Sequence, residues 1–294
     1  MTTNRSGIPI LLFLLLASTG AGCVVKTHKV KEFERPKSAQ TASLQDLIHR
    51  LNSEAETISS FQAKVRFDLR SGSIASGELK NYHEIKGFLL YRSPDHLRMI
   101  GQIPSFGLNA LDMVSNGREF RVSFAPYRKF IIGSALDHPH SKKPLENLRP
   151  EHILEALRPA TISEANDRHL IFQEEASEGR DNYYVIYEVV HSESGSIALR
   201  RKIWIDRFDL RVARQQLYSE GGVLESDAHY TQYSRWGDAW YPGGIDLFRP
   251  GEDYGLAIRV EEMKFNLPLD DSKFELARPE SYELIEVGKK TTNP

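Results

Sequence analysis

"FQAKVRFDLR", residues Phe61 to Arg70, alternates apolar and polar side chains without a break. Phe61, Ala63, Val65, Phe67 and Leu69 fall on one face of an extended chain, and Gln62, Lys64, Arg66, Asp68 and Arg70 on the other. Strand side chains repeat with a period of two, so this segment reads as a strand with one buried and one wet face. Such strands belong to antiparallel sheets, because parallel sheets are covered on both faces.

Working outward, the period changes on the N-terminal side. In "SLQDLIHRLNSEAETIS" (43–59), Leu44, Leu47, Ile48, Leu51, Ala55 and Ile58 share one helical face, with Ser43 as N-cap. Toward the C-terminus, strands are expected around 78–91, 96–103, 109–115 and 119–124, with "SNGRE" (115–119) as a turn and "FAPYRKFIIG" (124–133) as a turn and strand. A polar loop and a short helix near Pro150–Leu157 come next. Strands then resume at "HLIFQEE", "NYYVIYEVV", "RKIWID", "ARQQLYS", "HYTQYSRW" and "GLAIRVEEMKF". About ten or eleven strands with few helices predict a mainly β (α+β) fold: one large antiparallel sheet or barrel, not βαβ units. The expected body runs from 43 to 283, and 284–294 reads as a frayed tail.

The bulk numbers agree with a globular body. Of 294 residues, 40% are hydrophobic and 27% charged, and the net charge is −2, which gives no electrostatic reason to expect nucleic acid. Catalytic signatures are missing: there is no H-E-x-x-H and no C-x-x-C, and His138 and His140 lack a third ligand at metal spacing. "VGKKTT" (287–292) lacks the earlier glycine of a phosphate loop, Glu283 standing there. No enzyme and no cofactor are expected. An envelope-degrading enzyme stays open as an alternative, since glycosidase-type carboxylates leave no local motif.

The N-terminus has the layout of an export signal over 1–22: Arg5, an apolar run from Ile8 to Ala17, then small residues to Gly22. "LLLASTGAGC" (14–23) ends on Cys23, the chain's one cysteine, and resembles the lipobox of bacterial lipoproteins despite Gly20 where leucine is usual. That resemblance implies a lipid anchor on Cys23; cleavage near Ala21 with a free thiol is the competing reading. Residues 23–42, charged and aperiodic, read as a flexible tether.

The order of segments carries a further resemblance. "GFLLYRSPDHLRM" (87–99), "LDMVSNGREFRVSFAPYRKFIIG" (111–133), "IWIDRFDLRVARQQLYSEGG" (203–222) and "DDSKFEL" (270–276) follow the amphipathic helix and the alternating strand. Together they are similar to the LolA/LolB superfamily of bacterial lipoprotein carriers, with Gly87, Arg92, Pro94, Asn116, Gly117, Trp204 and Asp206 in matching places. The resemblance implies an unclosed antiparallel β-barrel curled around helices, with an apolar interior for acyl chains. With Cys23 it points to the LolB-type members: monomeric, anchored in the outer membrane facing the periplasm, and receiving acylated lipoproteins from a soluble carrier.

The cavity is then expected to be lined by Phe61, Val65, Phe67, Phe88, Leu90, Leu111, Met113, Ile203 and Ile205. Each of these would also face inward in any one-sided sheet. "IPSFGLN" (103–109) matches the protruding loop of LolB-type proteins, so Phe106 and Leu108 either insert into a bilayer or tuck into the barrel mouth. A lipid or glycolipid carrier and a lipid-sensing regulatory module of the same fold remain alternatives.

Overall fold

The alternating segment is the midline of the molecule. In the computed structural model, which describes residues 38–72, 80–102, 109–135, 147, 149–163, 165–166, 168–191 and 195–287, it lies in β1 (Ser60–Ser71). The chain runs α1 (Leu44–Glu56), β1, β2 (Lys80–Arg92), β3 (His96–Gln102), β4 (Asn109–Asn116), β5 (Glu119–Phe124) and β6 (Lys129–Ser134). After α2 (Pro150–Leu157) come β7 (His169–Glu178), β8 (Asp181–His191), β9 (Ile197–Asp206), β10 (Val212–Tyr218), β11 (Leu224–Trp236), β12 (Ala239–Arg249) and β13 (Tyr254–Phe265). A last strand, β14, covers Glu283–Val287.

All fourteen described strands form one sheet in the order β14-β6-β5-β4-β3-β2-β1-β13-β12-β11-β10-β9-β8-β7. Each half is a meander of neighbours, and β1 joins the halves by pairing with β13 from Phe61 against Phe265 to Ser71 against Tyr254. Every pairing is antiparallel except β14 with β6. The fold is mainly β, an unclosed antiparallel sheet whose edges are β14 and β7.

The sheet must curl. α2 touches both β4 and β12, which stand five strand spacings apart. Flat, that is about 24 Å, whereas a helix is only about 10–12 Å across. Both helices therefore sit in one concavity. α2 buries Ile153, Leu154, Ala156 and Leu157 against residues from both halves, and α1 buries Leu47 and Leu51 over Tyr184, Ile186, Ile203 and Ile205.

Ser43 caps α1 as expected, in a capping box with Asp46: the Asp46 amide donates to Ser43 Oγ and the Ser43 amide to Asp46 Oδ2. Four features differ from the sequence reading. Residues 40–42, expected in the tether, are held on the β8–β9 face: the Gln40 amide donates to the Arg207 carbonyl at 2.7 Å and the Ala42 amide to Tyr184 Oη at 3.0 Å. β12 was not expected, because "AWYPGGIDLFR" carries Pro242, Gly243 and Gly244 in its middle. These residues allow a close approach: a Cβ on Gly244 would lie 2.4 Å from Thr231 Oγ1, and one on Gly243 would lie 2.9 Å from the Gln232 carbonyl oxygen. Residues 284–287, expected to fray, form β14. The way there is a strap, 267–276, laid over the outer face of β2 to β5. Arg92, Arg98 and Arg121 donate to the Leu269, Lys273 and Leu276 carbonyls.

That strap explains the fourth difference. Phe88 and Leu90 do not face the concavity. They pair across to Lys64 and Gln62 on the outer face and are covered by Leu267, Leu269 and Phe274. The run "FLL" hides the phase of the strand, and it is Leu89 and Tyr91 that point inward.

Candidate functional site

The concavity holds seven of the nine expected lining residues. Phe61, Val65, Phe67, Leu111 and Met113 belong to the large core around α2, and Ile203 and Ile205 to the smaller one under α1. Phe61 is fully enclosed, with ring centroids of Tyr91, Tyr241 and Phe265 at 5.0, 5.5 and 6.1 Å. These residues are packed, not open to solvent. α2 fills the concavity over Phe61, Val65, Phe67, Leu111 and Met113, and α1 fills it over Ile203 and Ile205. Cys23, Phe106 and Leu108 lie outside the described residues.

α2 is amphipathic in an unusual way, with apolar residues in the sheet and charged ones half-sunk beside them. Its start is fixed by Pro150 at the first helical position. His152 is 6% exposed and sits between Arg249 Nη2 at 3.0 Å and Tyr254 Oη at 3.3 Å. Arginine can only donate, so His152 Nε2 accepts, the ring is neutral, and Nδ1–H donates to Tyr254. Arg249 is itself held by Glu252 at 2.8 Å. Ser115 Oγ donates to Glu151 Oε1 at 2.6 Å, while Glu151 Oε2 is buried without a partner. Tyr241 Oη donates to the Leu157 carbonyl and closes the helix end.

Two carboxyl groups on this helix are pushed up. Burial raises Glu151, against the opposing Ser115 hydrogen bond and the Arg149 charge. Burial likewise raises Glu155, against the charges of Arg249, Arg158 and Arg200. α2 is thus a wedge whose apolar edge favours the seat and whose acids resist it.

Two hollows flank the end of α2, with Arg158, Pro159 and Ala160 as their shared wall. That wall is tied to α1 by a reciprocal pair: Asn52 Nδ2 donates to the Ile162 carbonyl and the Ile162 amide to Asn52 Oδ1, both at 2.9 Å. One hollow, about 250 Å³, is polar, with Glu155, Arg200, Arg201, Glu188, Thr161 and Gln215 on its sides. Arg201 is bound to Glu188 through Nε at 2.9 Å and Nη2 at 2.6 Å.

The other hollow, about 60 Å³, is mainly apolar, between α1, α2 and β10 to β12. Leu51, Ile58, Ala156, Leu157, Tyr230 and Tyr241 contribute to it, and so does Arg211. Arg211 is 8% exposed, its guanidinium carbon 4.0 Å above the Trp240 ring and 5.3 Å from that of Tyr233. Its Nε and Nη1 are buried without a hydrogen-bond partner, and each such group costs about 1–3 kcal/mol. Burial pushes the guanidinium below its ordinary value, opposed by the Glu54 and Asp209 carboxylates, and it stays charged all the same. Arg211 was not singled out from sequence, since a lone arginine after a strand carries no motif.

Among the described residues no group of three or more His, Cys, Asp or Glu could hold a metal ion, and no helix is long and apolar enough to cross a membrane.

No family model matches the chain, and no curated protein matches it either. Among solved structures, a LolA superfamily protein from Nitrosomonas europaea overlaps with a TM-score of 0.47 at 13% identity, covering 78% of this chain and 97% of that one. A domain described as outer membrane lipoprotein-sorting, from Vibrio parahaemolyticus, overlaps at 0.47 and 11% identity, covering 78% and 94%. A DUF1329 family protein from Desulfovibrio piger overlaps at 0.52 and 14% identity over 78% of this chain and 95% of that one, so the chain shares the fold of that protein.

Proposed function

We propose that this chain is a LolB-type envelope lipoprotein, not an enzyme, that takes acyl chains into the concavity by displacing α2. The observation that carries the reading is the wedge itself, a short helix filling the apolar interior of an open sheet. An eight-residue helix is too short to hold its shape alone, so α2 exists by virtue of its seat. Its three large apolar side chains, Ile153, Leu154 and Leu157, supply about 1.5–3 kcal/mol each. An acyl chain of about a dozen methylenes supplies about 10 kcal/mol at about 0.8 kcal/mol per CH₂. The exchange is therefore within reach, and Glu151 and Glu155 regain water when the helix leaves.

In this reading Cys23 carries the lipid anchor, which holds the protein at the outer membrane facing the periplasm. A soluble carrier delivers acylated lipoproteins, and Phe106 and Leu108 contact the bilayer. Cargo moves toward the partner with the larger differential affinity. The polar hollow beside Glu155 favours a second reading, a carrier of lipids or glycolipids whose head groups need polar contacts.

A triacylated lipopeptide titrated into the full chain, with its deacylated form as control, tests the proposal. Saturable binding of the acylated form alone supports it. Equal binding of both forms, or of neither, removes it.

A further inference from the structure

Resting on the acyl-binding reading, we infer that Arg211 is an anion subsite that receives the oxyanion head of an amphiphile, a carboxylate or a phosphate ester, at the mouth of the concavity. Arg211 is more than nine-tenths buried and lines the 60 Å³ hollow, and its Nε and Nη1 are enclosed without a hydrogen-bond partner. The group lies over the Trp240 and Tyr233 rings, so it is packed in place before any ligand arrives.

The acids nearby do not satisfy it. Asp209 Oδ2 stands 4.0 Å from Arg211 Nε, beyond hydrogen-bond reach, while Asp209 Oδ1 accepts from the Arg211 backbone amide at 3.0 Å. Glu54 lines the same hollow, but it is paired with Arg50 at 3.2 Å. Water could fill the space, but it brings no charge. An oxyanion brings both acceptor atoms and charge, and arginine forks suit carboxylate and phosphate alike.

The surroundings choose an amphiphile over a free ion. Leu51, Ile58 and Val212 are walls of the hollow that do not belong to α2, so an anion here keeps hydrocarbon beside it when the helix leaves. The space takes a head and no tail, since binding pockets for whole ligands run to about 300–1,000 Å³. The adjoining room is the seat of α2, because Ala156 and Leu157 belong to that helix. Head at Arg211 and tail in place of α2 make one continuous site.

Calorimetric titration of the full chain with dodecanoate, dodecyl phosphate, dodecanol and acetate tests this. The two anionic amphiphiles are expected to bind about tenfold or more tighter than dodecanol, as for a charge-assisted pair. Arg211→Gln should bring the three within about twofold of one another, and Arg211→Lys should keep part of the preference. Anions and dodecanol binding the native chain equally, or a preference that survives in Arg211→Gln, would overturn the subsite and leave acyl binding standing. Acetate binding as tightly as dodecanoate would make this a free-anion site and overturn the amphiphile. If no dodecyl compound binds, the acyl-binding reading fails and takes the subsite with it.

Discussion

Single residues explain why the segments that resemble the LolA/LolB superfamily look as they do. A Cβ on Gly87 would lie 2.0 Å from the Ile100 carbonyl oxygen and 2.6 Å from the Phe67 ring. Gly87→Ala should therefore cost about 1–3 kcal/mol, read as a lowered denaturant midpoint, and an unchanged midpoint would refute the contact. Gly117, at φ +80°, turns β4 into β5 while Asn116 Oδ1 accepts from the Arg118 and Glu119 amides. Asp206 Oδ1 likewise accepts from the Phe208 amide after β9. Arg92 reaches across to the strap, donating to the Leu269 carbonyl and to Asp271. These roles are turns, close approaches and clamps, which leave marks in sequence because few residue types can fill them. Arg211 left none, because its significance comes from what surrounds it in space.

At the scale of elements, α2 is the part whose balance is adjustable. Ile153→Ala removes a fully buried side chain and should destabilise the chain by about 2–4 kcal/mol. It should also tighten binding of an acylated probe, since a weaker seat raises the share of molecules with the helix out. Weaker binding would contradict the wedge account. Glu155 gives a pH test. Its carboxyl is raised from 4.5 by burial, so the folded chain holds that proton more tightly than the unfolded one. The resulting stability is present below the ordinary value and is lost as pH rises through the raised one. Glu155→Gln should thus raise the denaturant midpoint at neutral pH and make no difference near about pH 4. A variant less stable at neutral pH would show that Arg249, Arg158 and Arg200 outweigh burial. The period marked α1, and a short helix was expected near Pro150–Leu157, whereas β12 was masked by Pro242 and its two glycines, which are needed because β11 passes so close.

Over the whole molecule, stability rests on the join between the two meanders. Phe61, packed against three aromatic rings, should cost about 3–5 kcal/mol when cut to alanine. Removing Lys64 or Glu262, an exposed pair at 3.2 Å along the same β1–β13 seam, should cost no more than about 1 kcal/mol. Melting curves of these variants separate a seam held by packing from one held by charge. Alternation in β1 made the sheet legible, since one-sided strands imply one covered face. It could not show what covers that face, or that a strap would cover part of the other, because those depend on contacts between residues far apart in the chain. The central claim is that α2 and an acyl chain compete for the same concavity. Amide exchange at residues 150–157, measured with and without a saturating triacylated lipopeptide, tests it most directly. The account predicts exchange about tenfold or more faster with the lipopeptide bound. Unchanged or slower exchange at α2 while the lipopeptide binds would contradict it.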